Sequence, residues 1–145
     1  TGDARRNEIG GGAGNDRIFG LGHADCLFGG AGDDLLDGGA GNDDLHGDAG
    51  HDRLKGGADS DELSGGSGND RLTGNGDEDY LVGGAGNDVL GGGAGYDIVR
   101  AGAGNDVIDA TGSGFDRVDC GAGRDRVKAG RGDRLRNCER VVYAD

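Results

Sequence analysis

Aspartates recur every nine residues along most of this chain of 145 residues. The series runs Asp16, Asp25, Asp34, Asp43, Asp52, Asp61, Asp70, Asp79, Asp88, Asp97 and Asp106. Carboxylate oxygens repeated in register are ligands for hard cations. No serine or threonine hydroxyl sits in a histidine constellation that would suit catalysis. The spacing therefore predicts an array of cation sites and no enzyme.

Each aspartate closes a glycine-rich hexapeptide, and an aliphatic residue follows two positions later. The unit reads G-G-x-G-x-D-x-U-x, where U is aliphatic, as in GGAGNDRIF at Gly11 to Phe19. The aliphatic residues are Ile18, Leu27, Leu36, Leu45, Leu54, Leu63, Leu72, Leu81, Leu90, Val99 and Ile108. A fixed period of this kind indicates a solenoid.

The unit also predicts its own local structure. Its first six residues are turn material, and its last three suit a short strand whose aliphatic side chain points inward. His23, Asp59 and Asp77 replace glycine at position 4, which indicates a left-handed backbone there, because Asn, Asp and His tolerate it best. Two units would close an 18-residue coil, with stacked coils about 4.8 Å apart. The expected fold is all-β, a parallel β-roll of two sheets around a thin aliphatic core.

The repeat frame extends beyond the perfect series. Asn7 and Ile9 fit a degenerate repeat, so residues 1–10 are interpreted as an N-terminal capping repeat. Between Ala110 and Asp119 the frame gains one residue, which moves the next aspartates to Asp116 and Asp125. The predicted organisation is a cap over 1–10, a roll over 11–128 and a C-terminal cap over 129–145, where the pattern decays.

Composition limits the partners and the source of stability. The chain has 37 glycines, no proline and a net charge of −13, so burial of one aliphatic residue per repeat does not offset the entropy of ordering it. The negative charge argues against nucleic acid as a partner. No segment is apolar for long enough to span a membrane, and no secretory leader is recognisable. We expect the fold to require a bound cation.

Units such as GGAGNDRIF, GGAGDDLLD and GGSGNDRLT resemble the RTX nonapeptide repeats of secreted bacterial proteins. The resemblance covers about Gly11 to Lys128. It implies a right-handed parallel β-roll that binds Ca²⁺ between turns of adjacent coils, through position-6 carboxylates and loop carbonyls.

The residues favour calcium independently of the resemblance. Aspartates 18 residues apart would stack at about 5 Å and repel by roughly 3 kcal/mol at an effective dielectric of 20. Calcium accepts six to eight oxygen ligands in flexible geometry, whereas magnesium requires an octahedron and zinc prefers histidine or cysteine. Two rows of carboxylates follow: an odd row (Asp16, Asp34, Asp52, Asp70, Asp88, Asp106) and an even row (Asp25, Asp43, Asp61, Asp79, Asp97).

The two rows are expected to differ in quality. Glycine fills position 4 throughout the odd row, so uniform occupancy is expected there. Weaker sites are expected near His23, Asp59 and Asp77 in the even row. The pairs Asp106 with Asp125 and Asp97 with Asp116 are possible distorted sites across the extra residue. Metal binding should be coupled to folding, because each site spans two coils.

Three further features carry hypotheses. Cys120 and Cys138 are one coil apart, which favours a disulfide over two free thiols. Tyr80, Val82, Val89, Ile98 and Val107 suggest an exposed apolar patch. The tripeptide Arg131-Gly132-Asp133 matches an integrin-binding sequence, but three residues match easily by chance in this composition.

The sequence therefore favours a calcium-binding, non-enzymatic module of a secreted or cell-surface protein. It would fold on meeting extracellular calcium, and would stabilise or display a parent protein or assist its export. The alternative is a calcium-dependent adhesion or ligand-binding module that uses the apolar outer face to bind a cell-surface partner.

Overall fold

A computed structural model describes residue 2 and residues 5–144 of the chain. Residues 1, 3 and 4 of the predicted N-terminal cap and residue 145 of the C-terminal cap lie outside the described residues. The described part contains sixteen strands and no helix, and hence no helix long and apolar enough to cross a membrane.

The strands form two sheets of eight, and successive strands along the chain alternate between them. Sheet A contains β1 (Glu8–Ala13), β3 (Cys26–Ala31), β5 (Asp44–Ala49), β7 (Glu62–Ser67), β9 (Tyr80–Ala85), β11 (Ile98–Ala103), β13 (Arg117–Asp119) and β15 (Arg134–Arg136). Sheet B contains β2 (Arg17–Gly22), β4 (Leu35–Ala40), β6 (Arg53–Ala58), β8 (Arg71–Gly76), β10 (Val89–Ala94), β12 (Val107–Ala110), β14 (Arg126–Ala129) and β16 (Arg140–Tyr143).

Every pairing is parallel and joins residues one coil apart, as between Leu27 and Leu45 or between Leu36 and Leu54. The chain is thus an all-β parallel solenoid of about eight turns, built from 18-residue coils. This confirms the predicted fold class.

The core is a single layer between the sheets. All the aliphatic residues of the repeat series are 3% exposed or less, from Ile18 to Ile108, and Val118 and Val127 continue them at 1%. Towards the C-terminus, Ala101, Ala110, Cys120 and Ala129 join this layer from the first position of their repeats. The apolar core therefore thickens over the last coils.

The turns adopt the left-handed backbone that position 4 predicts. His23, Asp59 and Asp77 have φ values of 73°, 72° and 65°. Position 2 is left-handed too, even where it carries Leu21 (φ 84°) or Asp48 (φ 71°). Because a left-handed backbone is costly for a branched or bulky side chain, these turns require support from neighbouring coils.

The extra residue between Ala110 and Asp119 shortens strands without breaking the sheets. β12 has four residues and β13 has three, whereas every strand before them has six. β13 still pairs with β11 in register, with Val118 opposite Val99. The additional residue is taken up in the turn before Asp116.

The predicted apolar patch is not one surface. Tyr80, Val82 and Ile98 lie on strands of sheet A, whereas Val89 and Val107 lie on strands of sheet B. Their side chains face opposite sides of the roll, because positions 7 and 9 point outward from each sheet. The proposal of a single patch is wrong, and the reason is that consecutive repeats alternate between sheets.

The predicted disulfide forms between Cys120 and Cys138, whose Cα atoms are 5.2 Å apart. Beyond Lys128 the chain continues both sheets, as β15 pairs with β13 and β16 pairs with β14. The disulfide therefore joins the last two coils.

Candidate metal centre

The position-6 aspartates form two hydrogen-bonded ladders, one along each edge of the roll. All of them except the half-buried Asp16 are 3% exposed or less. From Asp34 to Asp125, Oδ1 of each accepts the backbone N–H of the aspartate one coil earlier, at 2.7 to 3.0 Å. The structure thus stacks all thirteen predicted aspartates into the odd and even rows.

The ladders cross the extra residue intact. Asp97 N–H donates to Asp116 Oδ1 at 3.0 Å, and Asp106 N–H donates to Asp125 Oδ1 at 2.9 Å, although both pairs are 19 residues apart. These bonds have the same length as those between 18-residue neighbours. The distortion expected at this point does not reach the hydrogen bonds of the aspartates.

The second carboxylate oxygen of these aspartates is buried and has no hydrogen-bond partner. This holds for Oδ2 of Asp16, Asp25, Asp34, Asp43, Asp52, Asp61, Asp70, Asp79, Asp88, Asp97, Asp106 and Asp125. An unpaired buried carboxylate oxygen is among the costliest groups in a folded protein. A row of such atoms points to a positively charged ligand shared between coils.

A glycine at the first position of the repeats from Gly11 to Gly92 lets the aspartate side chain pack closely against the backbone. A Cβ added to Gly47 would lie 2.6 Å from Asp52 Oδ2 and 2.6 Å from the carbonyl oxygen of Gly65 in the next coil. Gly47 does not have a positive φ, so its lack of a side chain serves close approach rather than backbone conformation. Glycine therefore allows a carboxylate oxygen and a carbonyl oxygen of the next coil to lie against the same Cα.

Burial raises the pKa of carboxyl groups in the middle of both rows. The pKa of Asp61 and of Asp79 is raised from 3.8 to about 7, and that of Asp43 and of Asp88 to about 6. Desolvation is the main cause; the ladder hydrogen bond lowers each pKa, and the stacked carboxylates raise it again. Without a cation, Asp61 and Asp79 are therefore partly protonated near neutral pH.

Backbone oxygens must supply the rest of any coordination shell. Within residue 2 and residues 5–144, no three His, Cys, Asp or Glu side chains cluster as a metal site on their own. Carboxylate oxygens and turn carbonyls of adjacent coils are oxygen donors of the kind that calcium accepts. The aspartates therefore fit a hard divalent cation better than zinc, which prefers nitrogen and sulfur ligands.

Comparison with known families identifies a calcium-binding repeat in this chain. The model of the RTX calcium-binding nonapeptide repeat matches residues 1–36, 22–54, 55–90, 92–112 and 110–134. The chain belongs to the RTX calcium-binding repeat family. A comparison with curated proteins gives no match.

The even RTX ladder begins at Asn7, which the sequence places in a degenerate repeat, whereas both ladders end at residues that the sequence pattern did not reveal. At the start, Asn7 N–H donates to Asp25 Oδ1 at 2.6 Å, so Asn7 occupies a position-6 place. At the end, Asp116 N–H donates to Asp133 Oδ1 and Asp125 N–H donates to Glu139 Oε2, both at 3.0 Å. The lost glycine spacing hid Asp133 and Glu139, but each still precedes an aliphatic residue by two positions, at Leu135 and Val141.

Asp133 differs from the other ladder aspartates because both of its oxygens are bonded. Oδ2 accepts the N–H of Gly130 at 2.6 Å, while Oδ1 accepts that of Asp116. The carboxylate closes the even ladder with a hydrogen bond on each oxygen, and both bonds hold it within the fold.

A second ladder runs along the odd edge of the RTX roll at position 5. The N–H of Asp33, His51, Asn69, Asn87, Asn105 and Arg124 each donates to the position-5 side chain one coil earlier, at 2.7 to 3.0 Å. The donors run in the opposite direction to those of position 6. On the even edge, the described position-5 residues form no such bonds, since Ala24, Ser60, Glu78 and Tyr96 replace most of the asparagines.

The backbone hydrogen bonds made at position 4 also differ between the two edges. On the odd edge the N–H of every position-4 glycine from Gly14 to Gly104 donates to a backbone carbonyl of the next coil. Among the described residues of the even edge, this bond forms at Gly41 and Gly95. The even edge is therefore the less regular one, as the sequence predicts, and it is held mainly by its aspartates.

Proposed function

We propose that the gaps between adjacent coils bind Ca²⁺, and that this binding drives the roll to fold. The proposed ligands are the carboxylates of Asp16, Asp25, Asp34, Asp43, Asp52, Asp61, Asp70, Asp79, Asp88, Asp97, Asp106, Asp116 and Asp125, together with turn carbonyls. The unpaired, buried Oδ2 atoms carry this proposal. Bound calcium would supply the positive charge that offsets the repulsion between stacked carboxylates.

The chain's own residues prepare each gap. The N–H of one aspartate fixes Oδ1 of the next, which aims Oδ2 away from the ladder bond. The first glycine of the repeat lets that carboxylate pack against the backbone. Folding brings the two coils together, so the donor set forms only as the roll forms.

The role that follows is a structural calcium-binding module, not an enzyme, in an extracellular or secreted protein. Extracellular fluids supply calcium and an oxidising environment that maintains a disulfide such as Cys120–Cys138. In a low-calcium cytoplasm the chain would stay unfolded, which suits export, and it would stabilise its parent protein outside. The alternative is a calcium-dependent adhesion or ligand-binding module that binds a cell-surface partner through its outer face.

Calorimetric titration with calcium, followed in parallel by circular dichroism, tests the proposal. We expect several ions to bind per chain, with the β signal appearing as they bind, and no equivalent response to magnesium. Asp88→Asn keeps the Oδ1 acceptor but removes the charge, and should lower the stoichiometry by one to two ions. Asp37→Asn removes the same charge from the outer face of sheet B and should leave the stoichiometry unchanged. A complete β signal in excess chelator at neutral pH would overturn the proposal.

A further inference from the structure

Charge is distributed unevenly along the roll. Eight of the fifteen basic side chains lie between residues 117 and 140: Arg117, Arg124, Arg126, Lys128, Arg131, Arg134, Arg136 and Arg140. The four acidic residues of this segment, Asp119, Asp125, Asp133 and Glu139, all accept hydrogen bonds within the fold. The C-terminal end is therefore basic, in a chain whose net charge is −13.

Four of the chain's arginines surround a shallow cleft on the outer face of sheet A. Arg100, Arg117, Arg134 and Arg136 line a space of about 400 Å³, with Ile98 and Tyr80 beside them. The cleft lies where the sheet narrows, because β13 and β15 have three residues each and β9 and β11 have six. All four arginine side chains are exposed.

The four arginines of this cleft outnumber its one carboxylate, that of Asp119. Arg117 and Arg134 lie directly opposite each other on adjacent parallel strands, where like charges destabilise a sheet. Asp119 lies opposite Arg100 and Arg136, and its Oδ1 accepts a hydrogen bond from Asn137 Nδ2 at 2.7 Å. Among the described residues the ion pairs are His46–Asp44 and Lys55–Asp37, so none of the four arginines has a carboxylate within ion-pair distance.

We propose that this cleft binds an acidic polysaccharide, a chain of sugar rings that carries carboxylate or sulfate groups. Each guanidinium can donate two parallel hydrogen bonds to such a group, and four of them in one cleft can engage successive charges of a polymer. Ile98 gives the cleft an apolar side against which a sugar ring can pack.

Nucleic acid fits the cleft less well. Single strands bind through aromatic rings that stack on bases. The guanidinium of Arg100 lies over the Tyr80 ring, 5.6 Å from its centroid, so that face is already covered.

Calcium would control this binding, and this step rests on the proposed function. Each Ca²⁺ ion carries two positive charges, so the binding of seven ions would be enough to offset the net charge of −13. Loading would therefore remove the long-range repulsion between the roll and a polyanion while leaving the arginines in place.

Fluorescence anisotropy of labelled heparin and labelled hyaluronan, titrated with the calcium-loaded protein, tests the inference. We expect both to bind, with an affinity that falls as salt rises, and neutral dextran not to bind. The double variant Arg117→Gln/Arg134→Gln should weaken binding by about tenfold, since it removes two charge-assisted contacts. The matched control Arg53→Gln/Arg71→Gln removes a directly opposed pair from sheet B and should change the affinity by less than about twofold.

Calcium titration and circular dichroism of each variant separate the outcomes. If the wild-type protein binds calcium and folds but leaves both glycans unbound, the cleft inference fails and the proposed function stands. Equal weakening by the two double variants, or tighter binding of duplex DNA than of either glycan, also overturns it. Should the Arg117/Arg134 variant fail to fold, Arg100→Gln and Arg136→Gln are the second test, each expected to weaken heparin binding.

Discussion

The repeats before residue 101 and those from residue 101 onward stack in the same way but differ in the residue at their first position. From Gly20 to Gly92 every repeat begins with a glycine against which a buried carboxylate oxygen packs closely. The later repeats begin with Ala101, Ala110, Cys120 and Ala129, whose side chains are 2% exposed or less. Asp133, the last carboxylate of the even ladder, has both oxygens bonded, and a disulfide joins the final coils.

This difference separates two sources of stability. The first group, which we call the glycine coils (residues 11–100), has a thin core and unpaired carboxylate oxygens, so we expect its stability to depend on a cation. The second group, which we call the closed coils (residues 101–144), still holds unpaired oxygens at Asp106 and Asp125 but adds small apolar side chains and a covalent bond. In a solenoid, folding can start in one repeat and propagate to its neighbours. We expect the closed coils to provide such a starting point for the glycine coils.

Removal of calcium should have the largest effect on stability, and it should destabilise the glycine coils more than the closed coils. In excess chelator, amides of β3 to β10 should lose their protection from hydrogen exchange, because their carboxylates then repel one another. Amides near Val118 and Val127 should retain more of theirs. Hydrogen exchange with mass spectrometry measures this, and uniform loss of protection would show that the two groups do not differ.

A rise in pH should destabilise the metal-free roll but should strengthen its binding of calcium. Between about pH 4 and pH 7 the folded, metal-free roll binds more protons than the unfolded chain, because burial raises the pKa of Asp61 and Asp79 from 3.8 to about 7. Its stability is therefore greatest at acidic pH and is lost as pH rises through 7. Calcium must displace these protons, so calcium affinity should fall as pH drops below about 7.

Thermal unfolding and calcium titration between pH 5 and pH 8 check these two slopes. Identical slopes in chelator and in calcium would contradict the assignment of the protons to the metal-binding carboxylates.

Loss of the disulfide should affect mainly the closed coils. In the entropic model, closing a loop of 18 residues stabilises the fold by about 3 kcal/mol. Cys120→Ala/Cys138→Ala should reduce the free energy of unfolding in calcium by about this amount, measured by urea denaturation. Cys26→Ala, which removes the unbridged thiol on sheet A, is the control and should change it by less than about 0.5 kcal/mol.

The smallest expected effect is a difference in stability between substitutions at the odd edge and at the even edge of the glycine coils. Asn87→Ala removes the acceptor for the N–H of Asn105 and should cost about 0.5–1 kcal/mol. Asn42→Ala changes the same repeat position on the even edge, where the described residue makes no such bond, and should cost less. Urea denaturation in calcium compares them, and equal costs would show that the position-5 ladder contributes nothing.

The sequence alone predicted the period, the fold class and the two rows of aspartates. Each depends on local rules: an aliphatic residue two positions after every aspartate, and left-handed turns at His23, Asp59 and Asp77. It also predicted the Cys120–Cys138 bridge from the length of one coil. It failed for the apolar patch, because neighbours in sequence such as Tyr80 and Val89 lie on opposite sheets.

Other features were decided by the tertiary structure. Asp133 and Glu139 join the ladders at spacings of 17 and 14 residues, which no fixed period reveals. The position-5 ladder and the arginine cleft arise because stacking places side chains one coil apart within bonding distance. A nine-residue period determines which side chains face inward. Only the stacking of coils determines which oxygens find a donor and which remain for a cation.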